Sequence, residues 1–400
     1  MNICMVDYDI NPPWVEGVRI LAFELSRQLV KEGHSVHIVT SATPTSALEE
    51  EINGVFFHRI SKKAFVFFLA RKVRNLHKFY GFNVIHIQNS IILKSFMVAL
   101  ERLRKLVRIP MITYVCLQPT TSPRDFIQLL KLDVTEFLMR EALSMRHLTG
   151  MLTPSFYTRK EFNMVNKIIT SSNYLKTTIT NQGVEPNKID TIYPFINVEE
   201  FVRASASNYD YRENMEINKD TPLMLYVGAS EADRLGSFLK ALPIVLKEIP
   251  DSKVVFVSSF TKRFLHHLTK LGLQHAFIPV PMHVKINMPR LMATSNVYVY
   301  PGFTAFASID PPLTLIEAAA LGVPIVTSNT GGIPEVIQSG KNSVLFRPFD
   351  YRKMADALIK FLGKENIRSC SRRKTASLVN SEFDSRIATR RFVSNYESII

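Results

Sequence analysis

The stretch that most limits how this chain can fold runs from Val297 to Ile337. Val297-Tyr-Val-Tyr300 reads as a short buried strand, and Val323-Pro-Ile-Val-Thr327 as a second. Between them, Leu313 to Leu321 carries apolar residues at helical spacing, with Pro311-Pro312 at its start and Gly322 as its stop, so a helix is expected over roughly Pro311 to Leu321. Thr330-Gly331-Gly332 then turns into Ile333-Pro-Glu-Val-Ile337, a further helix start. Strand, helix, strand and helix in this order build an open parallel sheet, whose ligands bind beyond the carboxyl ends of its strands.

Glu317 lies in the middle of the first of these helices, on a face shared with Leu313, Thr314, Ala320 and Leu321. An ionised carboxylate among such neighbours is costly unless something hydrogen-bonds to it; the plainer alternative is a surface Glu on the outer edge of the helix. The free N–H groups at the helix starts, Leu313-Thr314 and Gly331-Gly332, are suited to holding a phosphate. Asp310, before the two prolines, has two roles open to it: capping the helix or reaching a ligand hydroxyl.

The order of these residues, L-T-L-I-E-A-A-A-L-G-V-P-I-V-T-S-N-T-G-G-I-P-E, resembles the donor-binding signature of the retaining GT-B glycosyltransferases, the group 1 enzymes similar to family 4. The resemblance implies an α/β chain of two Rossmann-like domains facing across a cleft, with Glu317 on the ribose hydroxyls of a nucleotide sugar. It extends over most of the chain. Asn2 to Val6, the proline loop before Gly17, the helix from about Val18 to Glu32 and the strand Ser35 to Thr40 form one βαβ unit similar to the family's opening. Gly17 alone remains there to let backbone approach a phosphate, because Glu16 stands where the family has a first glycine.

In the strand Asn83 to Asn89, His86 matches a family histidine; on its own it is as well read as a satisfied interior residue. Cys116 falls where the family places a histidine that touches the donor sugar. Leu223 to Gly228 opens the second domain, Arg234 matches the second of two family cations that neutralise the departing diphosphate, and Ala229 removes the first. A surface Arg in a loop is the plainer reading of Arg234. The segment from Val280 to His283 matches the nucleobase loop, and Ile309 stands where the family has the first of two acids.

A chain of 400 residues, 46% of them hydrophobic and 21% charged, suits two cores. The expected layout is a domain over 1–200 that meets the acceptor and a membrane, a nucleotide-sugar domain over 201–380 with Arg203 to Asp220 as linker, and a helix over 381–400 that crosses back. No apolar run reaches the roughly 18 residues of a membrane span. The start lacks a basic leader, and three cysteines form neither a metal pattern nor a disulfide framework, which suits a reducing cytoplasm.

The formal charge of +14 calls for an anionic partner: nucleic acid, lipid or substrate. Lys62 to Tyr80 places Phe65, Phe68, Leu69, Val73, Leu76 and Tyr80 at helical spacing against Lys62, Lys63, Arg71, Lys72, Arg74 and Lys78, and Lys94 to Arg108 repeats the pattern. Such helices suit the anionic inner face of a cell membrane, or are core helices with a solvated basic face. Nucleic acid is disfavoured, since the aromatics share the apolar face instead of alternating with cations.

The expected activity is transfer of a hexose from a nucleotide sugar, which is a substrate and not a cofactor, to a lipid-linked or other glycan acceptor, with retention and without a metal. The alternative from another class is a non-catalytic GT-B protein that binds nucleotide sugar or scaffolds a partner enzyme, motivated by Cys116, Ala229 and Ile309.

Overall fold

The computed structural model describes residues 1–12, 17–89, 94–118, 155–206, 211–228, 232–258, 262–281, 286–302, 309–363 and 382–400. Two parallel sheets organise them. The first holds β1 (Asn2–Val6), β2 (Ser35–Ser41), β3 (Glu49–Ile52), β4 (Val55–Ile60), β5 (Val84–Asn89), β6 (Met111–Val115), β7 (Lys167–Thr170) and β8 (Ile189–Thr191), in the order β3-β4-β2-β1-β5-β6-β7-β8. Every pairing is parallel except β3 with β4. The second sheet holds β9 (Leu223–Val227), β10 (Lys253–Ser258), β11 (Phe277–Pro281), β12 (Val297–Tyr300), β13 (Ile325–Ser328) and β14 (Ser343–Phe346), in the order β11-β10-β9-β12-β13-β14.

The strands are short apolar runs because helices cover both faces of each sheet. Alternation along β1 shows this directly: Ile3 and Met5 enter one apolar cluster, Cys4 and Val6 another. The Ile3 cluster continues through Leu21, Leu25 and Leu29 of the Gly17–Lys31 helix into Leu225, Leu315 and Ile316 of the second sheet and its helix. One core therefore runs across both halves of the molecule.

Strand order reverses direction between β1 and β5 in the first sheet and between β9 and β12 in the second. Those are the points where loops leave toward opposite faces and open a crevice at the strand ends. The loops that follow β1, β9 and β12 lead to Gly17, Gly228 and Asp310.

Some local expectations need correction. The Leu313–Ala320 helix begins after both prolines, because Pro312 disfavours helical backbone at Pro311 and is itself extended (ψ 131°). Asp310 therefore does not cap it; the N-cap is Pro312. The stretch Arg203 to Asp220 is not plain linker: the Val198–Ser205 helix reaches into it and the Tyr211–Asn214 helix stands within it, the Tyr211 hydroxyl accepting from the Asn287 N–H at 2.6 Å. Phe68 and Tyr80 leave the apolar face of the Phe65–Tyr80 helix and are exposed.

The Ser385–Glu397 helix lies on the first sheet. Its Phe392 ring meets Tyr114 of β6 edge-on at 5.1 Å, and Arg391 and Asn395 donate to Thr191 O (2.7 Å) and Asp190 Oδ2 (3.0 Å) at β8.

Candidate functional site

The crevice is built from the start of the Gly17–Lys31 helix on one side and the start of the Leu313–Ala320 helix on the other. A methyl group at Gly17 would stand 3.7 Å from Leu313 Cβ and 2.6 Å from Ile309 Cδ1, so glycine is what lets these two helix starts approach. The first N–H groups of an α-helix lack intrahelical acceptors, and two starts side by side concentrate positive potential. Thr314 is held there by its hydroxyl, which accepts from Tyr298 Oη at 2.6 Å.

One turn into the second helix is Glu317. It is only 8% exposed, and its carboxylate has no hydrogen-bond partner among the described residues. Burial pushes its pKa up to about 7 from the ordinary 4.5. Leu313 and Glu317, four residues apart, share a helix face, so the unpaired acid lies beneath the helix start that meets Gly17. The surface alternative for Glu317 is thereby excluded.

Asp310, 2% exposed, is spent on holding the halves together. Its Oδ2 accepts from Ser172 Oγ and its Oδ1 from the Gly332 N–H, each at 2.7 Å, while its carbonyl accepts from Ser171 Oγ at 2.5 Å. Burial raises its pKa to about 6 despite these two donors. The Gly332 amide is consequently occupied, and a methyl there would fall 2.5 Å from Ser172 Cβ. Of the two helix starts expected to face a phosphate, the Leu313-Thr314 start has no side-chain cap among the described residues, whereas the turn at Gly331-Gly332 gives its second amide to Asp310. Gly331 itself takes a positive φ of 53°, the turn geometry its residue type permits.

His86 is fully buried, with Nδ1 2.7 Å from Tyr396 Oη and Nε2 3.2 Å from Gln88 Oε1. Burial lowers its pKa to about 4, so it is a neutral interior residue braced by the C-terminal helix. Cys116 is likewise buried, and burial pushes its thiol up. Its contribution to the seam is its carbonyl, which accepts from the Asp310 N–H at 3.0 Å beside a one-residue antiparallel bridge between Leu117 and Ile309. Gly228, just past β9, has no room for a side chain toward Tyr226 Oη, 3.0 Å from where its Cβ would be. Val280 is half-buried on β11 at the strand-end edge. The Arg234 side chain, Ala229 and residues 282–285 lie outside the described residues.

Glu335 was not anticipated. Its carboxylate accepts from the N–H groups of Asn173 (2.8 Å) and Tyr174 (2.7 Å) and from Tyr193 Oη (2.9 Å), all on the first sheet's side. Ser171-Ser172-Asn173 was legible as a turn into a helix, and Ser172 Oγ does cap it, accepting from the Leu175 N–H at 3.1 Å. Nothing in the spacing linked that turn to an acid 162 residues away.

Two facing parallel sheets with a shared crevice define a GT-B architecture, and the comparisons agree. Residues 221–364 match the family model Glycosyl transferases group 1, and residues 15–200 match Glycosyltransferase Family 4. The chain belongs to the group 1 glycosyltransferases. Spore coat protein SA of Bacillus subtilis is 30% identical over 235 residues, 53% of this chain and 61% of that protein. N-acetyl-alpha-D-glucosaminyl L-malate synthase of Bacillus anthracis is 22% identical over 401 aligned positions, 97% of this chain and 94% of that one. Among solved structures, Anabaena HepE in complex with UDP-glucose superposes with a TM-score of 0.74 at 14% identity, over 100% of both chains.

Proposed function

We propose that the protein transfers a hexose from a nucleotide sugar to a lipid-linked or other glycan acceptor, with retention and without a metal. The observation that carries this is Glu317, a buried carboxylate with no partner among the described residues, one turn below a helix start that faces Gly17. A nucleotide ribose offers two hydroxyls to such an acid, and its diphosphate offers charge to the helix starts. That HepE was solved with UDP-glucose supports a donor of this class.

In this reading the leaving diphosphate takes negative charge as the glycosidic bond to it breaks. The amides of Gly17, Leu313 and Thr314, together with Arg234, stabilise that charge, and the acceptor hydroxyl enters from the same face. Among the described residues no group of three His, Cys, Asp or Glu side chains is placed to hold a metal.

The acceptor side is read from the Phe65–Tyr80 helix. Phe67, Phe68 and Phe79 are 68%, 50% and 85% exposed beside the exposed Lys62, Lys63, Arg71 and Lys78. Apolar rings among cations suit an anionic bilayer surface on the cytoplasmic side, each cation contributing about 1 kcal/mol there. No helix among the described residues is long and apolar enough to cross a membrane.

A second reading, binding without turnover, is favoured by Ile309 packing over Gly17 and by the buried Cys116. A panel of nucleotide sugars with membrane extract, with and without EDTA, decides between them. Nucleoside diphosphate release that persists in EDTA is the expected result. Thermal stabilisation by a donor without release selects the binding protein, and absence of both sinks the nucleotide-sugar reading.

A further inference from the structure

The Glu335 carboxylate makes contacts unlike those of the other acids at the seam. Both of its oxygens leave the second sheet's side and dock on the first turn of the Asn173–Thr180 helix, on the N–H groups of Asn173 and Tyr174. The Tyr193 hydroxyl, from the loop after β8, adds a third donor at 2.9 Å. Burial, and then the hydrogen bond to Glu335, push the Tyr193 phenol well up, so it remains a donor. Two adjacent amides at a helix start, plus a hydroxyl, make the arrangement that holds an anion.

The surroundings differ from those of Asp310. Asp310 is locked among buried Ser171, Ser172 and Gly332, whereas Glu335 reaches one exposed amide, that of Asn173, and one half-buried, that of Tyr174. The first tie is sealed from solvent; the second lies at its edge. The ties are also adjacent in sequence on both sides: Gly332 and Glu335 belong to one turn of chain, Ser172 and Asn173 to the next.

We propose that Glu335 is a positioning residue, an anionic clasp that seats on the Asn173–Thr180 helix start and sets the closed spacing of the two halves, with Asp310 as the fixed pivot. In the closed spacing the Glu317 helix and Gly17 line one crevice. When the clasp releases, the halves rotate about the Asp310 contacts and the crevice opens for exchange of ligand. Glu335 touches neither reacting atoms nor donor; it acts through the distance it maintains. The link to turnover rests on the transferase reading above, while the clasp itself does not.

The test uses the full chain with Glu335→Ala, Glu335→Gln and Tyr193→Phe. Small-angle scattering without ligand is expected to give a larger radius of gyration for Glu335→Ala than for wild type, with Glu335→Gln intermediate because the amide keeps one acceptor oxygen. With UDP-glucose, or whichever donor the panel identifies, the single-turnover rate of Glu335→Ala falls about tenfold, the factor that about 1.4 kcal/mol produces. The donor dissociation constant stays within about twofold. In Glu335→Ala the Tyr193 hydroxyl keeps only the bond it accepts from Asn173 Nδ2 at 2.9 Å, so adding Tyr193→Phe costs less than it does in wild type, whereas Tyr193→Phe alone shows part of the Glu335→Ala loss.

An unchanged radius of gyration in Glu335→Ala overturns the clasp. So does a loss confined to donor affinity, which makes Glu335 a ligand contact, or full additivity with Tyr193→Phe. If wild-type protein turns over no donor, the transferase reading fails while the scattering comparison still decides the clasp.

Discussion

Replacing Glu317 with Gln should make the ligand-free protein more stable at pH 8 while abolishing its response to donor. Burial without a partner among the described residues lifts the native carboxyl to about 7, against 4.5 in the open chain. Between those values the folded state holds a proton that the unfolded state has lost, so stability falls as pH rises from about 4.5 to 7 and the full cost is present above 7. At about 1.4 kcal/mol per unit the cost is on the order of 3 kcal/mol. Glutamine has the same shape and no charge, but its amide remains without partners, which returns about 1 kcal/mol. A net gain of about 2 kcal/mol corresponds to about 4–8 °C in melting temperature for a domain of this size. At pH 5, where wild-type Glu317 is mostly protonated, the difference should shrink below about 1 kcal/mol. Asp310 titrates over the same range, yet it does so in both proteins and cancels from the difference. The assay is differential scanning fluorimetry of both proteins at pH 5 and pH 8, with and without donor. A Glu317→Gln melting temperature at or below wild type at pH 8, or a difference independent of pH, would refute the assignment of Glu317 as an unpaired buried acid. A donor that stabilises both proteins equally would refute its contact with the ribose.

Gly332→Ala places a methyl 2.5 Å from Ser172 Cβ, where backbone on both sides must give way, so a loss of about 1–3 kcal/mol is expected in denaturant titration. A neutral result would mean that the seam is looser than its contacts. Tyr396→Phe removes the partner of the buried His86 Nδ1 and should cost about 1–3 kcal/mol while leaving donor turnover within about twofold, which separates bracing from chemistry. Phe67→Ser with Phe79→Ser should reduce sedimentation with phosphatidylglycerol vesicles several-fold and leave sedimentation with neutral vesicles low; equal binding before and after would remove this face as the membrane contact.

Much of the architecture was legible because it rests on short-range pattern. Val297-Tyr-Val-Tyr300 and Ile325–Ser328 are buried runs of the length that a doubly covered strand needs, and the helix between them follows from spacing alone. Glu317 could be singled out for the same reason: its helix is apolar on every side, so its burial follows from its neighbours. What was not legible depends on long-range contact. Whether Asp310 caps its own helix or reaches elsewhere is decided by Ser172, 138 residues away, and by where two prolines allow the helix to begin. The spacing put Phe68 on the same apolar face as Phe65, Leu69 and Val73, a face either for the core or for a membrane; the three are buried in the core while Phe68 stays exposed. For His86 the spacing left a ligand contact and a satisfied interior residue equally open, and the contact that buries it, with Tyr396, lies 310 residues away.

The three acids near the seam explain one another. Asp310 accepts from the Ser172 hydroxyl across the seam and from the Gly332 amide of its own half, and Glu335 from two amides and a hydroxyl of the opposite half, so each negative charge is met by donors. Burial of a carboxylate with such donors is tolerable; burial of one without them costs several kcal/mol. A fold that satisfies two acids so fully could have satisfied the third or replaced it with an apolar residue of the Leu313–Ala320 helix. Among the described residues it does neither at Glu317, and hydroxyl donors arriving from outside the chain would compensate the charge. The same step that returns the Glu317 carboxyl toward its ordinary ionisation would therefore stabilise the closed protein, so ligand binding and closure of the crevice should be coupled through this one residue.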